Sequence, residues 1–331
     1  MILISGEVQE KKRQESVRLD ETIKLLFEVS KELLVKTLNS LFNKNFDPES
    51  VEIDKTATEY PDNDLDIIRA DLFIKITEYK PHHFHIEIET EPSRLIGVRT
   101  FEYDVMKAID NWRLEGNKTD KPVLFMPKSL VIHIEGGNSV PKDFHSVDIV
   151  LADGKIITYT VPVMRYWEYD EKRLIQENLY TLLPLQVFLL CDELDRMTKK
   201  GDEEARQAAI LKARDLTAKI ANEVMQFYKD GKIDFYDVDK IMIALRELFT
   251  HLNKRYKVNE KLNAEVNDMV RTFITDDMRI IIEQLEQLKK EEKRKTVEIA
   301  KKMLLKNKPI EEIIEFTGLT EKEIKEIQKT S

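Results

Sequence analysis

From Asp20 to Phe42 the apolar positions Ile23, Leu26, Phe27, Leu33, Leu34, Leu38 and Leu41 recur at helical spacing, which predicts one amphipathic helix ended by Asn43 to Pro48. The period then falls to two. Val51 to Thr58 alternates weakly, whereas Ile67 to Thr77 sets Leu72, Ile74 and Ile76 against Asp71, Phe73 and Lys75. Phe84 to Thr90 repeats the pattern, with Ile86 and Ile88 opposed to His85, Glu87 and Glu89. Between these two strands Glu78-Tyr79-Lys80-Pro81-His82 reads as a turn, because proline has no N–H to give a ladder. The simplest arrangement is an antiparallel hairpin.

Ser93 to Trp112 returns to helical spacing. Lys128 to Glu135 holds the apolar run Leu130-Val131-Ile132-His133-Ile134, typical of a strand buried on both faces, and Gly136-Gly137 ends it. Ile149-Val150-Leu151 and Ile156 to Val163 flank Asp153-Gly154, a hairpin turn. After about Trp167 the pattern is almost wholly helical, around 172–198, 203–229, 237–254 and 259–305. The predicted order is α-β-β-β-α-β plus a hairpin, followed by an all-α C-terminal region. We divide the chain into a polar tail (1–17), an α/β domain (18–190), a helical domain (191–285) and a basic helix with a small helix-turn-helix-like tail (286–331).

Composition narrows the function classes. With 42% hydrophobic residues the chain of 331 can bury a core, which excludes a largely disordered protein. The greasiest segment, Leu179 to Cys191, falls short of the roughly 20 apolar residues of a membrane helix, so no membrane partner is expected. Met1-Ile2-Leu3-Ile4 is too short for a signal core. Cys191 is the single cysteine and cannot form an internal disulfide or a cysteine-rich metal site, which fits a cytoplasmic protein. Its apolar surroundings predict a buried thiol. The net charge of −9 argues against a protein that coats DNA generally, but leaves room for a local or metal-bridged contact.

The carboxylates on the hairpin pose a physical question. Glu87 and Glu89, two apart on one strand, point to one face with Cα atoms about 6.6 Å apart, and Asp71 shares that face if the pairing is antiparallel. Partly buried, two such charges repel by about 2–3 kcal/mol at an effective dielectric near 20. Either the face is wet, the commoner case, or a cation holds the oxygens together. Hard carboxylate oxygens on adjacent strands suit Mg²⁺ or Mn²⁺.

Several motifs carry a resemblance. Arg69-x-Asp71, His85-Ile86-Glu87-Ile88-Glu89-Thr90 and Arg99-x-x-x-Tyr103 follow one another in this order, preceded by Asp20-x-x-Ile23-Lys24. Trp167, Leu179-Tyr180, Leu183-Pro184-Leu185 and Thr317-Gly318-Leu319-Thr320 come later. Together they resemble the recombination-promoting nuclease (Rpn) family, also described as PD-(D/E)XK nuclease family transposases. The resemblance covers roughly residues 18–190 and is looser beyond. It implies an α/β (α+β) restriction-endonuclease-like core with a mixed sheet, and a metal-dependent DNA endonuclease that hydrolyses phosphodiester bonds. Asp71 and Glu87 would then ligate Mg²⁺ or Mn²⁺. Glu89 stands where such nucleases carry lysine, or in this family usually glutamine, and would act as a third ligand or water-orienting group. A carboxylate there cannot donate to phosphate at neutral pH, which opens the alternative of an inactive nuclease-like protein that binds DNA or protein.

Other residues have two readings each. Lys75, four beyond Asp71, either supplies a displaced positive charge or only solubilises the strand. Arg99 and Tyr103, one helical turn apart, either contact phosphate or cover the sheet as a packing and hydrogen-bonding pair. Asp20 either supports the metal or caps its helix. His82, His83 and His85 lack the regular spacing of a zinc site. In the tail, Thr320-x-x-Glu323 is a capping box, and Lys322, Lys325 and Lys329 are offset by Glu321, Glu323 and Glu326, so DNA docking and packing both stay open. DNA is the expected partner, and the helical region is a place for a homodimer to form.

Overall fold

The computed structural model describes residues 19–56, 69–90, 92–115, 122–201, 203–256, 260–273, 294–306, 308–320, 323–324 and 327–328. The expected polar tail 1–17 and the basic stretch around Lys289, Lys290 and Lys293 lie outside the described residues, as do Glu321, Lys322, Lys325, Glu326 and Lys329. The chain divides into two compact units, Met1–Phe273 and Ile274–Ser331, so the helices up to residue 273 group with the sheet.

In the first unit the helix expected from Asp20 to Phe42 is two helices, α1 (19–25) and α2 (Lys31–Phe42). The break has no glycine or proline to announce it. Ser30 makes it: its Oγ accepts the Leu33 N–H at 3.2 Å as an N-cap, while its own N–H and hydroxyl donate to Asp237 at 2.7 and 2.9 Å. The cause of the break is thus a carboxylate 207 residues away in sequence.

Among the described residues six strands follow: β1 (Glu52–Thr56), β2 (Arg69–Thr77), β3 (Pro81–Glu89), β4 (Lys128–His133), β5 (Phe144–Val150) and β6 (Ile156–Arg165). They form one mixed sheet in the order β1-β2-β3-β4-β6-β5. β1, β2 and β3 are an antiparallel meander, and β4 lies parallel to both β3 and β6. Parallel neighbours need a crossover, and α3 (Ile96–Glu115) supplies it between β3 and β4. β5 and β6 pair antiparallel across the Asp153-Gly154 turn, with Gly154 at φ 82°. Pro81, expected in a turn, instead opens β3 opposite Thr77, a strand-end position that tolerates the missing N–H.

β3 is covered on both sides. Phe42 of α2 meets Phe84 at 4.7 Å between ring centroids, on the face of Ile86 and Ile88. The opposite face, with His85, Glu87 and Glu89, lies under α3 and is equally inaccessible to water. A solvated charged face, the commoner expectation, is therefore not what forms.

Beyond β6 the expected helix over 172–198 is three pieces: α4 (Glu171–Gln176), a 3₁₀ run Tyr180–Leu190, and α5 (Cys191–Lys200). Asn178 sits at φ 56°, and Pro184 lacks the N–H an α-helix needs. Tyr180 through Phe188 are all buried, and the run packs against helices, α2, α4 and α5 among them. α6 (Glu203–Lys229), α7 (Phe235–Arg255) and α8 (Glu260–Phe273) complete the unit. Ile210, Ala213, Ile220 and Val224 on α6, with Ile241, Leu245, Leu248 and Leu252 on α7, form buried stripes at i, i+3/i+4 spacing. Cys191 is fully buried, as expected, and burial pushes its thiol up to about 12.

In the second unit α9 (294–305) and α10 (Ile310–Thr317) share a small core of Ala300, Ile313, Leu319, Ile324 and Ile327. Gly318 ends α10 at φ 68°. The expected capping box is formed: Glu323 accepts the Thr320 N–H at 3.0 Å, and Thr320 Oγ1 accepts the Glu323 N–H at 3.4 Å. No described helix is long and apolar enough to cross a membrane.

Candidate active site

The strand register brings the expected acids together. Asp71 stands directly opposite Glu87, and Arg69 opposite Glu89, on the antiparallel ladder of β2 and β3. Asp71 is placed here by its ladder position; its side chain lies outside the described residues. Glu87 and Glu89 are both 0% exposed, so each needs a compensating charge.

Arg99 supplies it. From the first turns of α3 its Nε donates to Glu87 Oε1 at 2.9 Å, and its Nη2 donates to both Glu87 Oε1 and Glu89 Oε1. One guanidinium thus bridges two like charges, and although burial works against it, the two glutamates hold its pKa well above the ordinary arginine value. The cation that the spacing of Glu87 and Glu89 called for is, in the folded chain, an arginine.

A second cation lies beside the first. The His85 ring is fully buried and stacked on Phe73 at 4.2 Å between centroids, with the edge of Tyr103 at 6.4 Å. Its Nδ1 is 2.7 Å from Asp104 Oδ1 and its Nε2 is 3.4 Å from Glu87 Oε2. Burial pulls its pKa down, but the hydrogen bonds and charges of Asp104 and Glu87 outweigh that and push it up to about 9. At neutral pH both ring nitrogens therefore carry protons. Asp104 Oδ2 in turn accepts from Tyr159 OH at 2.6 Å and from Ser129 Oγ. The result is a continuous polar chain beneath α3: Tyr159 and Ser129 to Asp104, to His85, to Glu87, to Arg99, to Glu89.

The other expected residues fall around this chain. Tyr103 is buried against His85 and, with Arg99, covers the sheet. Asp20 on α1 pairs with Lys24 at 2.8 Å; burial raises its pKa, and the charge of Glu87 raises it further, so Asp20 is within electrostatic reach of the glutamates. Lys75 stands opposite His83, four residues along β3 from Glu87, or about 13 Å. His133 ends β4 opposite Glu89 and meets His145, Nε2 to Nε2, at 2.9 Å. Burial, then His145, Arg99 and Arg165, push His133 down to about 3, so it is neutral.

Asp104, Ser129, Tyr159 and the His133–His145 pair were not legible as site residues. Only the docking of α3 and the β3–β4–β6 register place them, and neither leaves a short-range signal. Among the described side chains, no three His, Cys, Asp or Glu groups converge as a metal-ligating set. The oxygens of Glu87 and Glu89 are nevertheless hard donors of the kind Mg²⁺ and Mn²⁺ take. Comparison of the chain with protein-family models, with curated proteins and with solved structures finds no match.

Proposed function

We propose that this chain is a metal-dependent DNA endonuclease with a PD-(D/E)XK, restriction-endonuclease-like core, working in the cytoplasm. The observation that carries this reading is the register that sets Asp71 opposite Glu87, with Glu89 two residues on, in a sheet of α-β-β-β-α-β order whose third and fourth strands are parallel. Asp71 and Glu87 would hold Mg²⁺ or Mn²⁺, with Glu89 as third ligand or water-orienting group. When bound, the metal supplies an acidified water and neutralises charge developing on the phosphodiester.

The chain's own groups prepare that site. Arg99 holds Glu87 and Glu89 through charge-assisted hydrogen bonds in a dry environment, and a metal there would share their oxygens with it. His85, held by Asp104, fixes the second oxygen of Glu87 from the other side. Helices α5 to α8 would position DNA or join protomers.

A second reading is favoured by the same arginine. With Arg99 crossing both glutamates, and an acceptor at position 89, the site also suits a protein that binds DNA or another protein without cutting.

Supercoiled plasmid separates the two. Incubation with Mg²⁺ or Mn²⁺ is expected to nick it, EDTA to stop the nicking, and Asp71→Asn and Glu87→Gln each to lower the rate by at least a hundredfold without unfolding the chain. Retention of the plasmid in gel shifts in EDTA, with no nicking under either metal, selects the non-cleaving reading.

A further inference from the structure

An open pocket of about 550 Å³ lies at the start of β3, away from the glutamates. His82, which lines it, and Glu87 are five residues apart on the strand, or about 16 Å. Lys44 enters the pocket from the end of α2, Lys80 from the β2–β3 turn, and Lys128 from the first residue of β4. Trp112 of α3, with Phe125 and Met126 from the segment leading into β4, also lines it.

Three lysines share one cavity in a chain whose net charge is −9. Among the described residues none of the three is held by a carboxylate. The neighbouring Lys44 ammonium, with some burial, lowers the Lys128 pKa. His82 is lowered by burial and then by Lys44, Lys80 and Lys128, against which Glu78 in the turn acts weakly. Like charges gathered without a counter-ion are stabilised by an anion. The aromatic part of the lining asks for something flat and apolar. Phe125 is 65% exposed, and the buried Trp112 indole N–H has no hydrogen-bond acceptor among the described residues. A volume of about 550 Å³ is within the ordinary range for small-molecule sites.

We propose that this pocket binds a nucleoside phosphate, with the phosphate among Lys44, Lys80 and Lys128 and the base against Trp112 and Phe125. An anion alone leaves the aromatic wall and the indole donor unused, and an apolar ligand alone leaves the lysines uncompensated. A planar base stacks on such side chains and offers acceptors to the indole N–H. The same chemistry is presented by a free nucleotide and by one unit of a single strand. The inference does not rest on the endonuclease reading, since it uses none of the residues around Glu87.

Calorimetric titration of the full chain in EDTA tests it, with ATP, inorganic pyrophosphate and a short oligothymidylate as probes. ATP is expected to bind saturably and at least tenfold more tightly than pyrophosphate. Lys44→Gln combined with Lys128→Gln is expected to weaken binding at least tenfold at an unchanged melting temperature, and Phe125→Ser, at an exposed site, to weaken it separately. Oligothymidylate binding as tight as ATP, with the same loss in the variants, assigns the ligand to a strand; weaker binding assigns it to a free nucleotide. Absence of saturable binding for both ATP and the oligonucleotide overturns the proposal. So does pyrophosphate binding as tight as ATP, or affinity unchanged in both variants.

Discussion

Arg99→Met is expected to lower the unfolding free energy by about 3–5 kcal/mol, the range for removing one partner of a buried ion pair. The arginine is the group that touches both glutamates, and both are fully buried. Methionine fills similar volume, so lost packing is a minor part of the effect. What is left is two buried carboxylates that have lost their guanidinium, with His85 beside Glu87. Two further outcomes separate this cause from simple misfolding. Adding Glu89→Gln to Arg99→Met is expected to recover a large part of the loss, because one of the uncompensated charges is gone. Millimolar Mg²⁺ or Mn²⁺ is expected to raise the melting temperature of Arg99→Met more than that of the wild type, since a divalent cation can take the vacated position. Urea denaturation and thermal melts of the three proteins check both. A loss below about 1 kcal/mol, typical of an exposed pair, contradicts the burial of this cluster.

The second large effect is on pH dependence. The His85 pKa lies at about 9 in the folded chain against an ordinary 6.5. A group raised on folding contributes stability that is fully present below about pH 6.5 and is lost as pH rises through about 9; the shift corresponds to about 3 kcal/mol. His133 runs the other way. Its value of about 3 lies below the ordinary 6.5, so its contribution is present above about pH 6.5 and is lost as pH falls toward 3. His251, pushed down to about 4 by burial and the neighbouring Arg255 and Lys254, adds to the acid limb. Stability is therefore expected to peak near pH 6.5 and to fall on both sides. Urea midpoints from pH 5 to 9.5 are expected to show the wild type losing stability between pH 6.5 and 9, with His85→Gln losing markedly less over that interval. Parallel profiles for the two proteins contradict the assignment of the alkaline limb to His85.

Much of the sheet was legible because strand period and turn chemistry are local. The alternation in β2 and β3, with a short turn between them, was enough to predict a hairpin that sets Asp71 beside Glu87. The Asp153-Gly154 turn and the Thr320–Glu323 box were readable for the same reason. What failed was whatever depends on a distant partner. Ser30 breaks a helix because Asp237 reaches it from α7, and nothing near Ser30 in sequence says so. The 3₁₀ run at Tyr180–Leu190 is buried all round, so it has no polar face to reveal its period, and Pro184 was its one local sign. Alternation shows which side chains share a strand face but not what covers it. The dry environment of Glu87 and Glu89 depends on how α3 docks, as does the part played by Asp104. The Arg99-x-x-x-Tyr103 spacing showed two residues on one helix face, while the structure adds that this face seals the carboxylates.

Direct binding of Mn²⁺, followed by electron paramagnetic resonance on titration of the full chain, tests the central claim that these carboxylates form a divalent-cation site. One saturable ion per chain is expected in the wild type, and at least tenfold weaker binding in both Asp71→Asn and Glu87→Gln, each variant keeping the wild-type circular-dichroism spectrum at the titration temperature. Mn²⁺ affinity that is the same in the wild type and both variants, or no bound ion at millimolar Mn²⁺, contradicts it.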